Sequence, residues 1–282
     1  MPGTLYVVAT PIGNLEDITA RALRVLGEVA LIAAEDTRRT AHLLARYAIA
    51  TPTTSLHEHN ETKKTPALIE RLTRGQNVAL VSDAGTPLIS DPGRHLVCAA
   101  IAAGIKIEPV PGPSAVMAAL TVSGVSAETF TFLGFPPLRS KDRQLWFEKL
   151  TNVGQTAVFF EAPHRIRDTL EQILNIVGDC QIVVCRELTK IHESLVRGPI
   201  STILRGLSDI KGELTVIIAI GHTTDISSHA PRTDSDLLIE LVHITELGAS
   251  SKRKAISVLA RRHNLTPNEV YAAIERVKKL AK

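Results

Sequence analysis

Short runs of aliphatic and β-branched residues alternate with amphipathic helical patterns over the first 220 residues of the chain. This alternation predicts βαβ units, in which a mostly parallel sheet is buried between helices. The expected strands are Leu5–Ala9, Ala30–Ala34, Val78–Val81 and Ile105–Val110, followed by Phe130–Leu133, Ala157–Phe160, Ile182–Cys185 and Leu214–Ile220. The sequence therefore predicts an α/β fold with two α/β domains, covering residues 1–118 and 119–225.

Residues 226–282 are predicted to form a linker followed by a small helix-turn-helix-like module. Thr266 can cap a helix that has Pro267 at its first position, and Glu269 completes a capping box. Residues 252–282 hold nine Lys or Arg residues against Glu269 and Glu275, a net charge of +7. Because the whole chain carries only +3, the preceding residues are mildly acidic, at −4. A basic tail of this kind favours a polyanionic partner.

Several classes of protein are excluded or disfavoured by simple patterns. Three cysteines without a C-x-x-C pair, and an N-terminus without a signal-peptide pattern, predict a reducing, cytoplasmic location. Prolines and glycines interrupt the longest uncharged stretch, Pro109–Ala127, so no membrane helix is expected there. Neither G-x-G-x-x-G nor G-x-x-x-x-G-K-[ST] is present, which counts against a P-loop enzyme and the usual Rossmann dehydrogenase or methyltransferase.

The glycines stand singly in turns that follow the predicted strands. Gly13 follows the first strand, Gly85 and Gly93 bracket the loop after Val78–Val81, and Gly112 follows Ile105–Val110. Ligands of open α/β sheets bind at the carboxyl ends of the strands, where these turns would meet. The turns therefore predict a ligand site that offers backbone amides, small side chains and the acids Asp83 and Asp91.

These turns, in this order, resemble those of the tetrapyrrole methylase superfamily and, within it, the ribosomal RNA small-subunit methyltransferase I family. Further segments carry the closer resemblance, and together they span residues 4 to 220. They are Ala34-Glu35-Asp36-Thr37-Arg38, Leu56-His57-Glu58-His59-Asn60-Glu61, Gly134-Phe135-Pro136-Pro137, Phe160-Glu161-Ala162-Pro163-His164-Arg165, Arg186-Glu187-Leu188-Thr189-Lys190 and Lys211-Gly212-Glu213.

The resemblance implies a homodimeric enzyme that uses S-adenosyl-L-methionine to methylate the 2′-hydroxyl of cytidine 1402 in 16S rRNA of the small ribosomal subunit. It also implies that the cofactor lies in the cleft between the two α/β domains. By family position, the cofactor contacts would be Pro11, Asp83, Gly85, Thr86, Leu88, Ser114, Ala115, Phe160, Leu188 and Gly212.

Deprotonation of a ribose hydroxyl requires a general base, and four acids at strand ends are candidates: Glu35, Asp36, Glu161 and Glu187. Asp36 is attractive because Arg38 and Arg39 beside it could hold phosphates, although it could equally cap the helix that begins near Thr37. Glu187 and Lys190 form a second candidate catalytic cluster, or an internal ion pair.

RNA contacts are expected from basic residues near the cleft, in the run after the Pro-Pro turn and in the tail. They are Arg38, Arg39, Arg139, Lys141, Arg143, Lys252, Arg253, Lys254, Arg261 and Arg262. No metal is expected, because His57 and His59 have no evident third ligand and the methyl transfer needs none. The alternative functions are methylation of a tetrapyrrole or a protein by the same fold, and a non-catalytic RNA-binding ribosome assembly factor.

Overall fold

The computed structural model describes residues 1–207 and 211–220, and further residues 234, 237–238, 241, 255–257, 259–260 and 265–280, the side chains of 278–280 excepted. The chain divides into two compact units, Met1–Ile218 and Ala219–Lys282. The larger unit contains both α/β sheets. The domain boundaries expected after residues 118 and 225 therefore stay predictions.

The first sheet is entirely parallel in its described pairings. Its strands are β1 (Thr4–Val8), β2 (Leu31–Ala34), β3 (Thr53–Ser55), β4 (Val78–Val81) and β5 (Lys106–Val110). They lie in the order β3-β2-β4-β1-β5, with Leu5 opposite Val78 on one side and Ile107 on the other. All five strands therefore end at one edge, as βαβ connectivity requires.

Helices cover both faces of this sheet. They are α1 (Ala20–Glu28), α2 (Thr37–Arg46), α3 (Glu61–Thr73) and α4 (Arg94–Ala102). Successive residues of a strand point to opposite faces, so Ala79 and Val81 pack with α1 and α2, whereas Val78 and Leu80 pack with α3 and α4. This two-sided burial explains why β2 and β4 are continuous apolar runs.

The second sheet is mixed. Its strands are β6 (Phe130–Phe132), β7 (Thr156–Glu161), β8 (Gln181–Arg186), β9 (Ser194–Pro199) and β10 (Leu214–Ala219), in the order β6-β7-β10-β8-β9. β6 is parallel to β7, but β8 is antiparallel to both β9 and β10. The mostly parallel arrangement predicted from the sequence therefore holds for the first sheet and not for this one, because residues 187–193 are too few for a crossover helix.

Four helices accompany the second sheet: α5 (Ala115–Ser123), α6 (Ser140–Asn152), α7 (Ile166–Val177) and α8 (Ile200–Gly206). The α5 residues Val116, Ala119 and Leu120 pack in one core cluster with strand residues of the second sheet. Ile12, from the turn after β1, and Leu188 belong to the same cluster. The turn after β1 and the helix α5 are thus packed into the core of the second sheet.

The smaller unit contains the helix α9 (Pro267–Leu280). The predicted capping box is confirmed, since Glu269 N–H donates to Thr266 Oγ1 (3.3 Å) and Thr266 N–H donates to Glu269 Oε2 (2.6 Å). Five apolar residues of the predicted module form a buried core with Leu241, namely Ala255, Ile256, Leu259, Val270 and Ile274. The linker predicted at the start of residues 226–282 lies outside the described residues up to residue 233. In the part of the chain that is described, no helix has the length and apolar character needed to cross a bilayer.

Candidate functional site

The turns after β1 and β4 are joined to each other at the carboxyl edge of the first sheet. Thr10 N–H donates to the Gly85 carbonyl (2.8 Å), and Gly85 N–H donates to the Thr10 carbonyl (2.9 Å). The Thr10 hydroxyl also donates to the Ser82 carbonyl at 3.2 Å. Gly85 has a φ of +76°, in the region that favours glycine. Pro11 and Gly85, two of the predicted cofactor residues, are therefore buried in adjoining turns.

The turn after β5 joins this edge through the predicted residue Thr86. The Thr86 hydroxyl donates to the Pro113 carbonyl at 3.2 Å. Ser114 and Ala115 follow directly and begin α5, with both residues half-buried. Three separate turns that the sequence predicts to meet are thus brought together by hydrogen bonds.

Carboxylates from the turns after β2 and β4 are linked through backbone amides. Asp83 Oδ1 accepts the Asp36 N–H at 2.9 Å, and Glu35 Oε2 accepts the Asp83 N–H at 3.2 Å. The Arg39 guanidinium lies 3.5 Å from Asp83 Oδ2 and is largely exposed. Asp83 is consequently held in place from both sides while remaining partly open to solvent.

Asp91, from the same loop as Asp83, adds a further carboxyl group to this edge. Burial is the main cause that raises the pKa of Asp91 to about 6, and the charges of Glu35 and Asp83 add to it, whereas a hydrogen bond from Ser82 opposes it. Burial also raises the pKa of Glu35. We call Glu35, Asp83 and Asp91 the carboxyl cluster. Its negative potential suits a cationic ligand.

The second sheet contributes the loop after β8 to the same region. Glu187 and Thr189 have φ values of +51° and +66°, which is uncommon for residues other than glycine. Asn14 N–H donates to the Thr189 hydroxyl at 3.0 Å, and a methyl group placed on Gly13 would lie 2.9 Å from the Leu188 carbonyl. The turn after β1 therefore packs directly on this loop, which buries Leu188.

The candidate catalytic pair Glu187 and Lys190 forms an internal ion pair. Lys190 Nζ donates to Glu187 Oε1 (2.9 Å) and Glu213 Oε2 (3.0 Å), while Glu187 Oε1 accepts the Glu213 N–H (2.9 Å). Gly212 lies against the Glu187 carboxylate. A Cβ atom added at Gly212 would lie only 2.4 Å from the carboxylate carbon of Glu187. The Glu213 N–H and Lys190 lower the pKa of Glu187, so this carboxylate is a weak proton acceptor.

Asp36 caps α2, the second of the two roles considered for it. Its Oδ1 accepts the Arg38 N–H at 2.8 Å, and the Arg38 guanidinium binds both carboxylate oxygens, at 3.1 and 2.7 Å. The Arg38 side chain and backbone N–H hold the pKa of Asp36 well below its usual range. The geometry therefore favours the capping role, and Asp36 as a base remains a prediction.

Glu161, also considered as a base, is buried, and both of its carboxylate oxygens accept hydrogen bonds. It accepts the Thr169 hydroxyl and the Ala162 N–H, and the Arg165 guanidinium lies 3.5 Å away. Phe160, the preceding residue and a predicted cofactor contact, is half-buried, with its ring centroid 5.0 Å from that of Phe132. The chain thus uses Glu161 to fix the end of β7 rather than to expose a carboxylate.

The predicted RNA contacts fall into three groups. Arg38, Arg39, Arg139 and Lys141 are exposed. Arg143 is different, because its side chain is only 12% exposed and its guanidinium binds Asp168 and Thr169, both at 2.8 Å. Lys252, Arg253, Lys254, Arg261 and Arg262 lie outside the described residues. The basic run after the Pro-Pro turn forms the first turn of α6 rather than a separate loop.

The histidine segment has structural partners. His57 N–H donates to Asn60 Oδ1 at 2.9 Å, and buried Glu61 accepts the N–H groups of His95 and Leu96 at 2.6 and 3.1 Å. Glu61 therefore caps α4 from a neighbouring helix. Among the residues that the structure describes, no group of three His, Cys, Asp or Glu side chains is placed to hold a metal ion.

Residues 4–204 match the family model for tetrapyrrole (corrin/porphyrin) methylases. The chain is 42% identical over 272 residues to the ribosomal RNA small subunit methyltransferase I of Vibrio cholerae, with 95% of this chain and 92% of the relative covered. A protein of the same name from Halalkalibacterium halodurans is 43% identical, with 95% and 93% covered. The chain belongs to the ribosomal RNA small subunit methyltransferase I family. It is accordingly a methyltransferase of the tetrapyrrole methylase fold.

Solved structures of other proteins share the fold of this chain. Diphthine synthase matches with a TM-score of 0.62 at 15% identity, covering 78% of this chain and 90% of that one. A uroporphyrin-III C-methyl transferase from Thermus thermophilus, solved in complex with S-adenyl homocysteine, matches with a TM-score of 0.57 at 17% identity, covering 77% and 97%. At these identities the likeness shows the fold alone.

Proposed function

We propose that this chain transfers a methyl group from S-adenosyl-L-methionine to the 2′-hydroxyl of cytidine 1402 in 16S rRNA. The observation that carries the proposal is the identity of more than 40% over about 95% of the chain to relatives named for small-subunit rRNA methylation. A homodimeric state and a cytoplasmic location complete the proposal, as the resemblance and the composition predict.

The residues at the carboxyl edge fit this cofactor in their chemistry. The sulfonium and ammonium groups of S-adenosylmethionine are cationic, and the carboxyl cluster presents acids beside them at the edge where sheet ligands bind. Apolar surface for the adenine and methionine parts would come from Ala115, Phe160 and Leu188. The full set of proposed contacts is Pro11, Asp83, Gly85, Thr86, Leu88, Ser114, Ala115, Phe160, Leu188 and Gly212.

When bound, the cofactor supplies an electrophilic methyl group on a sulfonium. The chain must then align the ribose oxygen with that methyl group, exclude water and accept the hydroxyl proton. Arg38, Arg39, Arg139 and Lys141 would hold phosphates of the RNA without reading its sequence.

Glu35 and Asp91 belong to the carboxyl cluster. They suit proton acceptance better than Asp36 and Glu187, which lie outside it. Both have a raised pKa, that of Asp91 being about 6, and a carboxylate with a raised pKa accepts a proton more readily. Asp36 and Glu187 are instead committed to Arg38 and to Lys190. We therefore propose that the base belongs to the carboxyl cluster.

Methyl incorporation from labelled cofactor into 30S particles that lack the modification tests the reaction. We expect one ribose methyl group per particle at cytidine 1402. Incorporation into a base, or turnover of a porphyrinoid or a protein without RNA, would overturn the assignment. Cofactor binding without any methylation of RNA would instead favour an assembly factor.

Asp83→Asn tests the cofactor site. Asparagine keeps an acceptor for the Asp36 N–H but removes the charge, so we expect cofactor affinity to fall by about tenfold or more while the fold is retained. Calorimetric titration with S-adenosylmethionine measures the affinity, and thermal unfolding monitors the fold. Asp17→Asn, at an exposed acid on a different turn, serves as the control and should bind normally.

A further inference from the structure

Phe135 presents an aromatic ring to solvent beside the proposed cofactor residue Phe160. Its side chain is 51% exposed, and the two ring centroids lie 5.3 Å apart in a tilted arrangement. Among the described residues, Phe130 and Tyr271 are the other exposed aromatic residues. Exposure of a ring this large needs a reason, because aromatic side chains are normally buried.

Hydrogen bonds from Phe160 and Arg165 fix the backbone of the loop that carries Phe135. Phe160 N–H donates to the Gly134 carbonyl at 3.0 Å. The Arg165 guanidinium donates to the carbonyls of Pro136 (2.5 Å) and Pro137 (3.3 Å), and buried Glu161 lies 3.5 Å from this guanidinium. The exposed ring is therefore displayed by a fixed backbone, as a preorganised binding residue would be.

The loop that carries Phe135 also lies close to the loop after β4, which contains the proposed cofactor residues Asp83, Gly85, Thr86 and Leu88. A methyl group placed on Gly134 would lie 3.5 Å from Ser90 Oγ, and Ser90 directly precedes Asp91 of the carboxyl cluster. Exposed Arg139 and Lys141 follow Phe135 within six residues. An aromatic face is thus placed next to the proposed methyl-transfer site, and positive charge follows it closely in the chain.

We propose that Phe135 is a stacking platform for a base of the RNA substrate, next to the ribose that receives the methyl group. This inference rests on the proposed function and adds a substrate-binding residue to it. Single-stranded bases are bound by stacking on aromatic faces, and charged side chains beside the ring hold the neighbouring phosphates. Arg165 and Glu161 act through Phe135 as positioning residues.

Phe135→Leu removes the π face while it keeps apolar bulk, and Phe135→Tyr restores the face. We expect Phe135→Leu to raise the KM for the RNA by about tenfold or more, with the KM for S-adenosylmethionine changed less than twofold, and Phe135→Tyr to remain near wild type. Phe130→Leu makes the same change at an exposed phenylalanine at the start of β6 and should have no effect.

A second measurement does not depend on turnover. An rRNA fragment with 2-aminopurine next to the target cytidine should lose fluorescence when it binds the wild-type enzyme with S-adenosylhomocysteine, and lose less with Phe135→Leu. An increase in the KM for the cofactor alone would overturn the proposal and place Phe135 over the cofactor instead. Unchanged RNA affinity and unchanged quenching would also overturn it. Quenching without methylation would contradict the proposed function and leave the stacking role standing.

Discussion

At the scale of single residues, the site is defined by which carboxylates already have a cationic or hydrogen-bonding partner within the chain. Sequence reasoning could predict that the turns after β1, β4 and β5 would meet, because parallel strands of one sheet end at a common edge. It could not predict the individual partners. Whether Asp36 binds Arg38 or a substrate proton depends on side-chain geometry that periodicity does not contain.

Asp91→Asn tests the carboxyl cluster through stability. The pKa of Asp91 is about 6 in the folded chain against an ordinary value of 3.8, so the stability of the fold decreases as the pH rises from about 4 to about 6 and stays lower above that. Below pH 4 the acid is protonated in both states, and the difference vanishes. The full shift corresponds to roughly 3 kcal/mol, and partial exposure reduces the expected gain to about 1 kcal/mol at pH 7.5.

Thermal unfolding at two pH values measures this effect. We expect the midpoint of Asp91→Asn to rise by about 2–4 °C at pH 7.5 and to match wild type near pH 4. Asp17→Asn, at an exposed acid, should show no such pH-dependent difference. A midpoint that falls at pH 7.5 would show that ionised Asp91 stabilises the fold.

At the scale of elements, most strands and helices of the large unit could be predicted from the sequence, because their apolar periodicity follows directly from burial on one or two faces. Two strands were missed. The strand β3 contains only three residues, Thr53–Ser55, none of them apolar, and β9 contains Gly198 and Pro199, which normally argue against a strand. Tertiary pairing with β2 and β8 decides their structure.

Gly13→Ala tests the contact between the turn after β1 and the loop after β8. Its methyl group would lie 2.4 Å from Lys190 Cγ and 2.9 Å from the Leu188 carbonyl, so one of the two segments must move. We expect destabilisation of about 1–3 kcal/mol, together with weaker cofactor binding, because Leu188 moves with the loop. Denaturant unfolding and calorimetric titration measure the two effects.

Gly27→Ala provides the matched control. A methyl group on Gly27 in α1 would meet no atom within 4 Å, so alanine should stabilise the helix by about 0.5–1 kcal/mol and leave cofactor binding unchanged. Equal effects of the two substitutions would show that the Gly13 contact does not couple stability to the cofactor site.

At the scale of the whole molecule, charge is divided between an acidic body and a basic tail. The body places its carboxyl cluster at the proposed cofactor site, whereas the tail includes Arg276, which binds Asp234 at 2.7 Å. One of the nine basic residues of the tail is thus partly neutralised within the smaller unit. The sequence predicted the charge division, but it could not show which cations are paired.

Replacement of Lys252, Arg253 and Lys254 by glutamine tests the tail. RNA affinity falls as salt concentration rises, and a plot of the two logarithms is a straight line. If these three residues neutralise RNA phosphates, the slope of that line should be shallower by about 2 in the triple variant than in the wild type. Cofactor affinity should not change. Filter binding at several salt concentrations measures the slope.

Neutralising Arg71, Arg74 and Lys106, where the strands β4 and β5 begin, makes the same change in net charge within the larger unit, and it should leave the slope nearly unchanged. Equal slopes for the two triple variants would show that the tail acts only through the overall charge of the molecule.

The position of β1 in the middle of its sheet affects how the chain is made. Both neighbours of β1 come much later in the sequence, since β4 begins at Val78 and β5 ends at Val110. At roughly 5–20 residues per second, the first strand waits about 5–20 s after its synthesis before both partners exist. Until then Leu5 and Val8, which are fully buried in the finished fold, lack the neighbouring strands that bury them.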